Sequence, residues 1–447
     1  MSSSYRKSNT RRVAPLVTGG VLAALYTLPG QVLAQEISLV PYGNAMTEWD
    51  SNRQLSRPPA SAASYGGEVG ADLRDYGPRS FMDLSAAVTY SDVPHFNYDW
   101  LDANAAFKSD FRTLDADYTM VASYRRDSTF VTEFGQANFN NSLTLTSPDT
   151  VSTSTVTTGI TRESYEIDPG FTYNFTPRLD LEGDFRVNSV HYNTQFIGQR
   201  VNYVSPYAGF TVNYDLSQRS SIGIGPYYSR YDETGSVTSS IDGVTTTESG
   251  SSTSTGGAAF TYGFKTTDVT HLSLTMRVER DHIEEGGFAT QDVTAWGVEL
   301  VGTHKYQVGN VLFSIGRFLE PSSVGGRVAL NEFRAQLNRP LSARLTFMGA
   351  LRVSDIETVG NFLSSLEPPE HRANAETWLT YNITKTWYVT GGYIFVRSRD
   401  LGQDNLASSN GAMLIFGYRG MEPPRPAALG PCTLRPLGAR SPTTVAC

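Results

Sequence analysis

From about residue 37 onward the chain falls into segments of about ten residues in which apolar and polar side chains alternate. Leu179–Val190 shows it most plainly. Leu179, Leu181, Phe185 and Val187 fall on one side, and Asp180, Glu182, Asp184, Arg186 and Asn188 on the other. A helix of 3.6 residues per turn would mix these two sets, whereas a strand of period two separates them. In His271–Asp281, Leu272, Leu274, Met276 and Val278 alternate with Ser273, Thr275, Arg277, Glu279 and Asp281. In Leu114–Asp127, Tyr118, Met120 and Tyr124 oppose Asp115, Asp117, Thr119 and Arg125.

The same pattern places strands near 37–48, 65–75, 80–91, 98–109, 113–126, 162–175, 179–192, 203–216, 220–232 and 256–266. It continues near 270–281, 292–305, 310–319, 328–338, 343–355, 373–383, 386–398 and 410–420, about eighteen strands in all. Tight links recur at Thr176-Pro177-Arg178, Leu216–Arg219, Thr267–Val269, Gln307–Asn310, Pro340–Ser342 and Ile383–Lys385. Longer polar links alternate with them, notably 128–161 and 233–255, rich in Ser and Thr. Strands of this length, with short turns on one side and long loops on the other, predict an all-β fold. The expected architecture is a transmembrane, antiparallel, up-and-down β-barrel with an even strand count and both termini in the periplasm. A soluble sandwich would carry more apolar residues per strand and more varied loops.

Composition agrees. The 447 residues include 24 Tyr, 22 Phe and 40 Gly, with only 18% charged. Mean hydropathy is −0.28, and no apolar run past residue 34 is long enough for a membrane helix. A net charge of −8 gives no footprint for nucleic acid. The two cysteines, Cys432 and Cys447, lie in the tail, without the Cys/His spacing of a metal site.

The ends read differently from the middle. Arg6, Lys7, Arg11 and Arg12 precede an apolar stretch from Val13 to Leu28, and Val32-Leu33-Ala34 has the form of a cleavage site. Residues 1–34 are therefore expected to be a signal peptide, 35–420 the barrel, and 421–447 a Pro-rich, disordered tail. The strand ending in Phe416 and Tyr418 looks like the aromatic closing strand that the barrel assembly machinery reads. Most such chains end there, and this one runs on for 29 residues.

The polar faces carry the candidate site. An acidic row, Glu166, Asp168, Asp180, Glu182 and Asp184 with Arg186 among it, is expected to line a lumen. Arg334, Arg344 and Arg352, with Glu332 and Gln336, are expected on roughly the opposite wall, where the two rows either set a transverse field across a water-filled pore or, residue by residue, form salt bridges between neighbouring strands that hold the barrel shape. Asp115, Asp117, Arg277, Glu279, Glu299 and Glu376 complete the expected pore lining. Tyr90, Trp100, Tyr173, Tyr214, Trp296, Trp387 and Tyr418 fit interfacial girdles, and Leu181 is expected on the lipid face near the midplane. No GxSxG, HExxH or Walker pattern occurs, and the six histidines (His95, His191, His271, His282, His304 and His371) fall mostly at strand ends. Neither an enzyme nor a cofactor is expected. Strand patterning starts within a few residues of Gln35, leaving no plug domain ahead of it and arguing against TonB-dependent uptake.

Turns such as Phe175-Thr176-Pro177-Arg178-Leu179 and Tyr214-Asp215-Leu216-Ser217, within a barrel of this size behind a signal peptide, resemble those of outer-membrane β-barrel porins encoded beside exopolysaccharide-export genes. The resemblance implies a channel for polysaccharide or a smaller polar solute. It also implies outer-membrane lipid and lipopolysaccharide as surroundings, and a periplasmic polysaccharide-export partner. A general diffusion porin, or an adhesive barrel acting through its loops, stands as the alternative.

Overall fold

The computed structural model describes residues 36–52, 59–96, 98–128, 160–193, 202–234, 236–241, 244–249, 251–284, 290–321, 327–358, 370–400 and 405–421. The expected signal peptide, the tail beyond Met421 with both cysteines, and most of the 128–161 link lie outside these residues.

Twenty strands form among the described residues. They are β1 (Glu36–Asp50), β2 (Ala62–Tyr76), β3 (Ser80–Val93), β4 (Tyr98–Arg112), β5 (Ala116–Ser128), β6 (Thr161–Thr176) and β7 (Leu179–Tyr192). There follow β8 (Asn202–Asp215), β9 (Ser220–Thr234), β10 (Ser236–Ile241), β11 (Val244–Ser249), β12 (Ser252–Thr267), β13 (Thr270–Glu284) and β14 (Gln291–Lys305). The last are β15 (Asn310–Pro321), β16 (Arg327–Pro340), β17 (Leu345–Thr358), β18 (Glu370–Asn382), β19 (Trp387–Asp400) and β20 (Asn405–Arg419). Eighteen of them form one antiparallel sheet in which each strand pairs with its chain neighbours, and β9 pairs directly with β12. β20 pairs back onto β1, from Tyr42 opposite Arg419 to Asp50 opposite Gly411, and the sheet closes. All eighteen expected strands are present. The separate β10–β11 hairpin was not foreseen: its Ser/Thr-rich strands alternate little, so they give no period-two signal.

Strands run two to five residues further than expected at most of their long-link ends, as at Ser252, Glu284, Glu370 and Asn405. There outward positions carry polar residues such as His282, Glu284 and His371 while Ile283 turns inward, so the apolar-outward alternation fades. The short links are built by Ser and Thr side chains standing in for backbone acceptors. Thr176 Oγ1 accepts from the N–H groups of Arg178 (3.2 Å) and Leu179 (3.0 Å). Ser342 and Thr384 do the same in their turns. In the Tyr306–Gly309 turn, Gly309 takes φ of 109°, a conformation that a side chain would strain.

Alternation sorts the wall into two faces. Outward positions carry Ile37, Val69, Ile224 and Val278, all more than 60% exposed. Outward aromatics gather at two levels. Phe111, Tyr118, Tyr173, Tyr214, Trp387 and Phe416 stand near the short links, and Trp49, Tyr65, Tyr90, Tyr165 and Trp296 stand toward the long ones. On β6, Tyr165 and Tyr173 are eight residues apart. At ~3.3 Å per residue and ~40° of tilt they are about 20 Å apart along the barrel axis. Trp100 does not belong to either girdle. It faces inward opposite Ser91, is buried, and donates its Nε1–H to Asp102 at 3.0 Å. Leu181 faces outward as expected, but it is the third residue of β7 and sits opposite Tyr173, at the girdle rather than the midplane.

The candidate pore wall

The acidic row assembles because consecutive inward positions on neighbouring strands fall side by side. Asp180 lies opposite Asn174 and Asn213, Glu182 opposite Thr172 and Thr211, and Asp184 opposite Gly170 and Gly209. Gly170 and Gly209 carry no side chains of their own, and the Tyr207 ring lies over Gly209. Asn213 Nδ2 donates to Asp180 at 2.8 Å and to Glu182 at 3.2 Å, which holds two carboxylates together without adding a cation. Arg186 reaches Glu166 at 3.5 Å and Asp168 at 3.4 Å. Five carboxylates and two guanidiniums thus face inward on β6 and β7, the second being Arg162, which pairs with Asp127 of β5 at 3.2 Å.

The other wall is β16–β18, and β16–β17 stand eight strands round the ring of eighteen from β6–β7. Arg334 and Arg352 face each other across the β16–β17 ladder. Both bind Glu332, Arg352 through Nε at 2.7 Å. The Glu332 side chain is 1% exposed. On β18, Arg372 pairs with Glu370 at 3.0 Å, and Trp378 donates to Glu376 at 3.3 Å. The basic wall is therefore smaller than the sequence suggested: each of these three arginines meets a buried carboxylate. The transverse asymmetry rests mainly on the acidic side.

The remaining expected residues divide. Glu279 and Glu299 face inward on β13 and β14, with Glu279 accepting from Tyr227 at 2.5 Å, and Arg277 is inward and exposed on β13. Asp117 is inward at the short-link end, 3.7 Å from Arg112. Asp115 and Arg344 are not on the wall. Both sit exposed in short links, because β5 begins at Ala116 and β17 at Leu345. Thr113 bonds Ala116, and Ser342 bonds Leu345, so in each case the turn takes the residues that alternation alone had counted into the strand.

Inward residues that the motif search passed over shape the mouth. Toward the long links, Ile160, Val190, Tyr192, Tyr203 and Tyr231 form one buried cluster. Ala62, Val93 and Trp100 form a second, and Val328, Leu330 and Ile356 a third. Tyr203, Val93, Val328 and Leu330 have no exposed surface, although they face into the ring. Lower on β8 and β9, Tyr207 and Tyr227 stack at 6.0 Å between centroids. Parity would have placed each of these inward, but only the ring closure brings them together.

A closed ring of eighteen strands with apolar residues outside, aromatic girdles and charged rows inside leaves one architecture. This is a transmembrane β-barrel. Neither a protein-family model nor a curated protein matches the chain. Among solved structures, it is similar to OpdQ from Pseudomonas aeruginosa, at 9% identity over 87% of this chain and 99% of that one, with a TM-score of 0.42. OccAB3 from Acinetobacter baumannii is 12% identical over 86% and 99%, with a TM-score of 0.42. The FrpB iron transporter from Neisseria meningitidis is 9% identical over 85% and 68%, with a TM-score of 0.44.

The wall is built of charged and polar side chains. Among the described residues no group of three or more His, Cys, Asp or Glu is placed to hold a metal ion. Its carboxylates meet arginines, amides and hydroxyls. What it offers is a polar surface with fixed charge, suited to solvating and sorting something that moves along it.

Proposed function

We propose that this protein is an outer-membrane channel for hydrophilic solutes, with both termini on the periplasmic side. The observation that carries the proposal is the acidic row on β6 and β7, which faces the inside of a ring too wide for side chains to fill. A barrel serving only as a scaffold for its loops has no need of a row of carboxylates turned toward its interior. The specific version is a channel associated with exopolysaccharide export, fed by a periplasmic partner. Stacked Tyr207 and Tyr227 support it, because a sugar ring presents C–H faces that pack on aromatic rings while its hydroxyls bond carboxylates and amides. The buried clusters at the long-link end favour gated over free passage, since inward side chains there are not in contact with water.

Single-channel conductance of the folded protein in a planar bilayer tests this. Discrete openings, shortened or blocked by an anionic or neutral polysaccharide, are the expected result. A folded sample that never conducts, with or without polysaccharide and over the full voltage range, refutes the channel. It would favour the barrel acting through its surface loops. Conductance that polysaccharide leaves untouched refutes the export version alone and leaves a general diffusion porin.

A further inference from the structure

The inner face beside the closing seam carries three aromatic rings laid over glycines. On β19, Tyr388 faces inward opposite Gly417 of β20, and Gly417 in turn lies opposite Asn44 of β1. The Tyr388 ring covers Gly417, and the Tyr42 ring covers Gly70 of β2. A side chain at either glycine would collide with the ring above it, so the glycines let both rings lie close against the backbone. On β18, Trp378 covers its partner Gly392 in the same way. Tyr388 is the second residue of β19, and Tyr42 stands opposite Arg419, the last residue of β20. Both tyrosines therefore belong to the short-link half of the pore. All three rings are partly exposed, unlike the inward side chains sealed in the clusters near the long links.

Polar groups stand beside the two tyrosines. Asn44 is within hydrogen-bonding reach of the Tyr388 hydroxyl, and the Glu68 carboxylate of β2 is close enough to act on both phenols. Glu68 Oε2 accepts from Thr89 Oγ1 at 3.3 Å. Among the described residues Oε1 takes no hydrogen bond, and no cation meets the carboxylate. The guanidiniums on the same stretch are engaged: Arg419 is 3.7 Å from Asp72, and Arg74 is 3.2 Å from both Asp72 and Asp83. Across the ring, Tyr227 also covers a glycine, Gly257, but it already gives its hydroxyl proton to Glu279. The seam is where ring faces and a carboxylate with acceptor capacity to spare occur together.

We infer that this stretch of wall binds an uncharged sugar ring of a chain in the pore. The inference deepens the channel proposed above and rests on it. A pyranose presents C–H faces that pack on aromatic rings, and a rim of hydroxyls that donate to Glu68 and to the phenol oxygens. Ligand sites commonly combine aromatic walls with a few placed polar groups in this way. A uronate ring has the same faces, but its own carboxylate would meet Glu68 without a cation between them, and like charges repel. Aromatic cover alone would shield the glycines and would need no acceptor beside it.

Titration calorimetry of the folded barrel, in a detergent without a sugar headgroup, tests the site with maltohexaose and hexagalacturonate. Maltohexaose should bind, and hexagalacturonate should bind at least tenfold more weakly. Y42L/Y388L should weaken maltohexaose tenfold or more. Y393L removes an outward tyrosine of the same β19 strand and should bind as the parent does. Heat-modifiable migration on gels checks that each variant folds. If the barrels lacking these rings do not fold, Glu68→Gln carries the test, since it keeps both rings over their glycines. It should narrow the preference for the neutral chain. No binding of maltohexaose, equal binding by parent and Y42L/Y388L, a preference for the anionic chain, or a preference that Glu68→Gln leaves unchanged would each overturn the inference. Single-channel conductance keeps its failure apart from that of the channel. Openings that a neutral polysaccharide blocks equally in parent and Y42L/Y388L refute the seam and leave the channel. A folded barrel that binds maltohexaose through these tyrosines yet never conducts refutes the channel and leaves the site.

Discussion

Arginine at Met276 should destabilise the barrel far more in a bilayer than its protein contacts would suggest. Met276 is six residues into β13 and faces outward between Phe260 and Val298. At ~2.5 Å of axial rise per residue, from ~3.3 Å along a strand tilted by ~40°, it stands about 15 Å above the short-link end. An apolar band of about 25 Å has its midplane near that height. The side chain is 43% exposed, so losing its contacts within the protein has a small effect. A guanidinium in mid-hydrocarbon costs about 2–4 kcal/mol. Leu181 supplies the matched control. It is two residues into β7 and level with Tyr173, about 5 Å from the same end, where the arginine cost falls to about 0–1 kcal/mol. Reversible urea unfolding in vesicles, followed by tryptophan fluorescence, measures both. M276R losing about 2 kcal/mol or more, with L181R near the parent, is the expected result. Equal losses, or an M276R variant as stable as the parent, would show that this face does not meet lipid.

Replacing Asp180, Glu182 and Asp184 with Asn, Gln and Asn should move the reversal potential in a salt gradient toward lower cation preference, and an unmoved potential refutes the acidic row as a selectivity element. Glu332→Gln leaves Arg334 and Arg352 without their shared carboxylate, and breaking such a buried group costs about 3–5 kcal/mol. Urea unfolding should show that loss, and unchanged stability would mean that the two guanidiniums are satisfied elsewhere. At the outer rim, four residues beyond Val278, the partner of Trp296, His282 donates from Nδ1 to Asp292 at 2.8 Å, with Glu284 at 3.4 Å from Nε2. The Asp292 hydrogen bond is the largest influence raising its pKa above the usual imidazole value. A raised folded-state value means that this contact contributes fully below about pH 6.5 and is lost as pH rises through the folded-state pKa. An NMR titration should place His282 above ordinary histidine, Asp292→Asn should bring it back down, and a His282 that titrates normally in the parent refutes the contact.

Period two carried most of the architecture. Leu179, Leu181, Phe185 and Val187 could be set against Asp180, Glu182 and Asp184 because a two-sided wall in lipid forces that separation at every residue. Where the environment stops being two-sided, the signal stops as well. The strands' long-link ends, where outward residues turn polar, and the Ser/Thr-rich β10–β11 hairpin fell outside it. Trp100 was misplaced for a related reason: an indole at a strand end fits an interfacial girdle or an inward bond to Asp102 equally well, and only its register with Ser91 decides. Asp115 and Arg344 follow the alternation but belong to turns fixed by Thr113 and Ser342.

The β1–β20 seam has a consequence for how such a molecule is made. Ser409 bonds Asp50 across 359 residues of chain, and the ladder around it is what removes the last free edges of the sheet. Until the final strand exists, β1 and its growing partner sheet present unpaired N–H and C=O groups to any other strand they meet. The most sequence-distant contacts in the protein form last, at the greatest cost in chain entropy. Synthesis and closure are thus separated in time, and the unfinished ring must be kept from other chains throughout that interval.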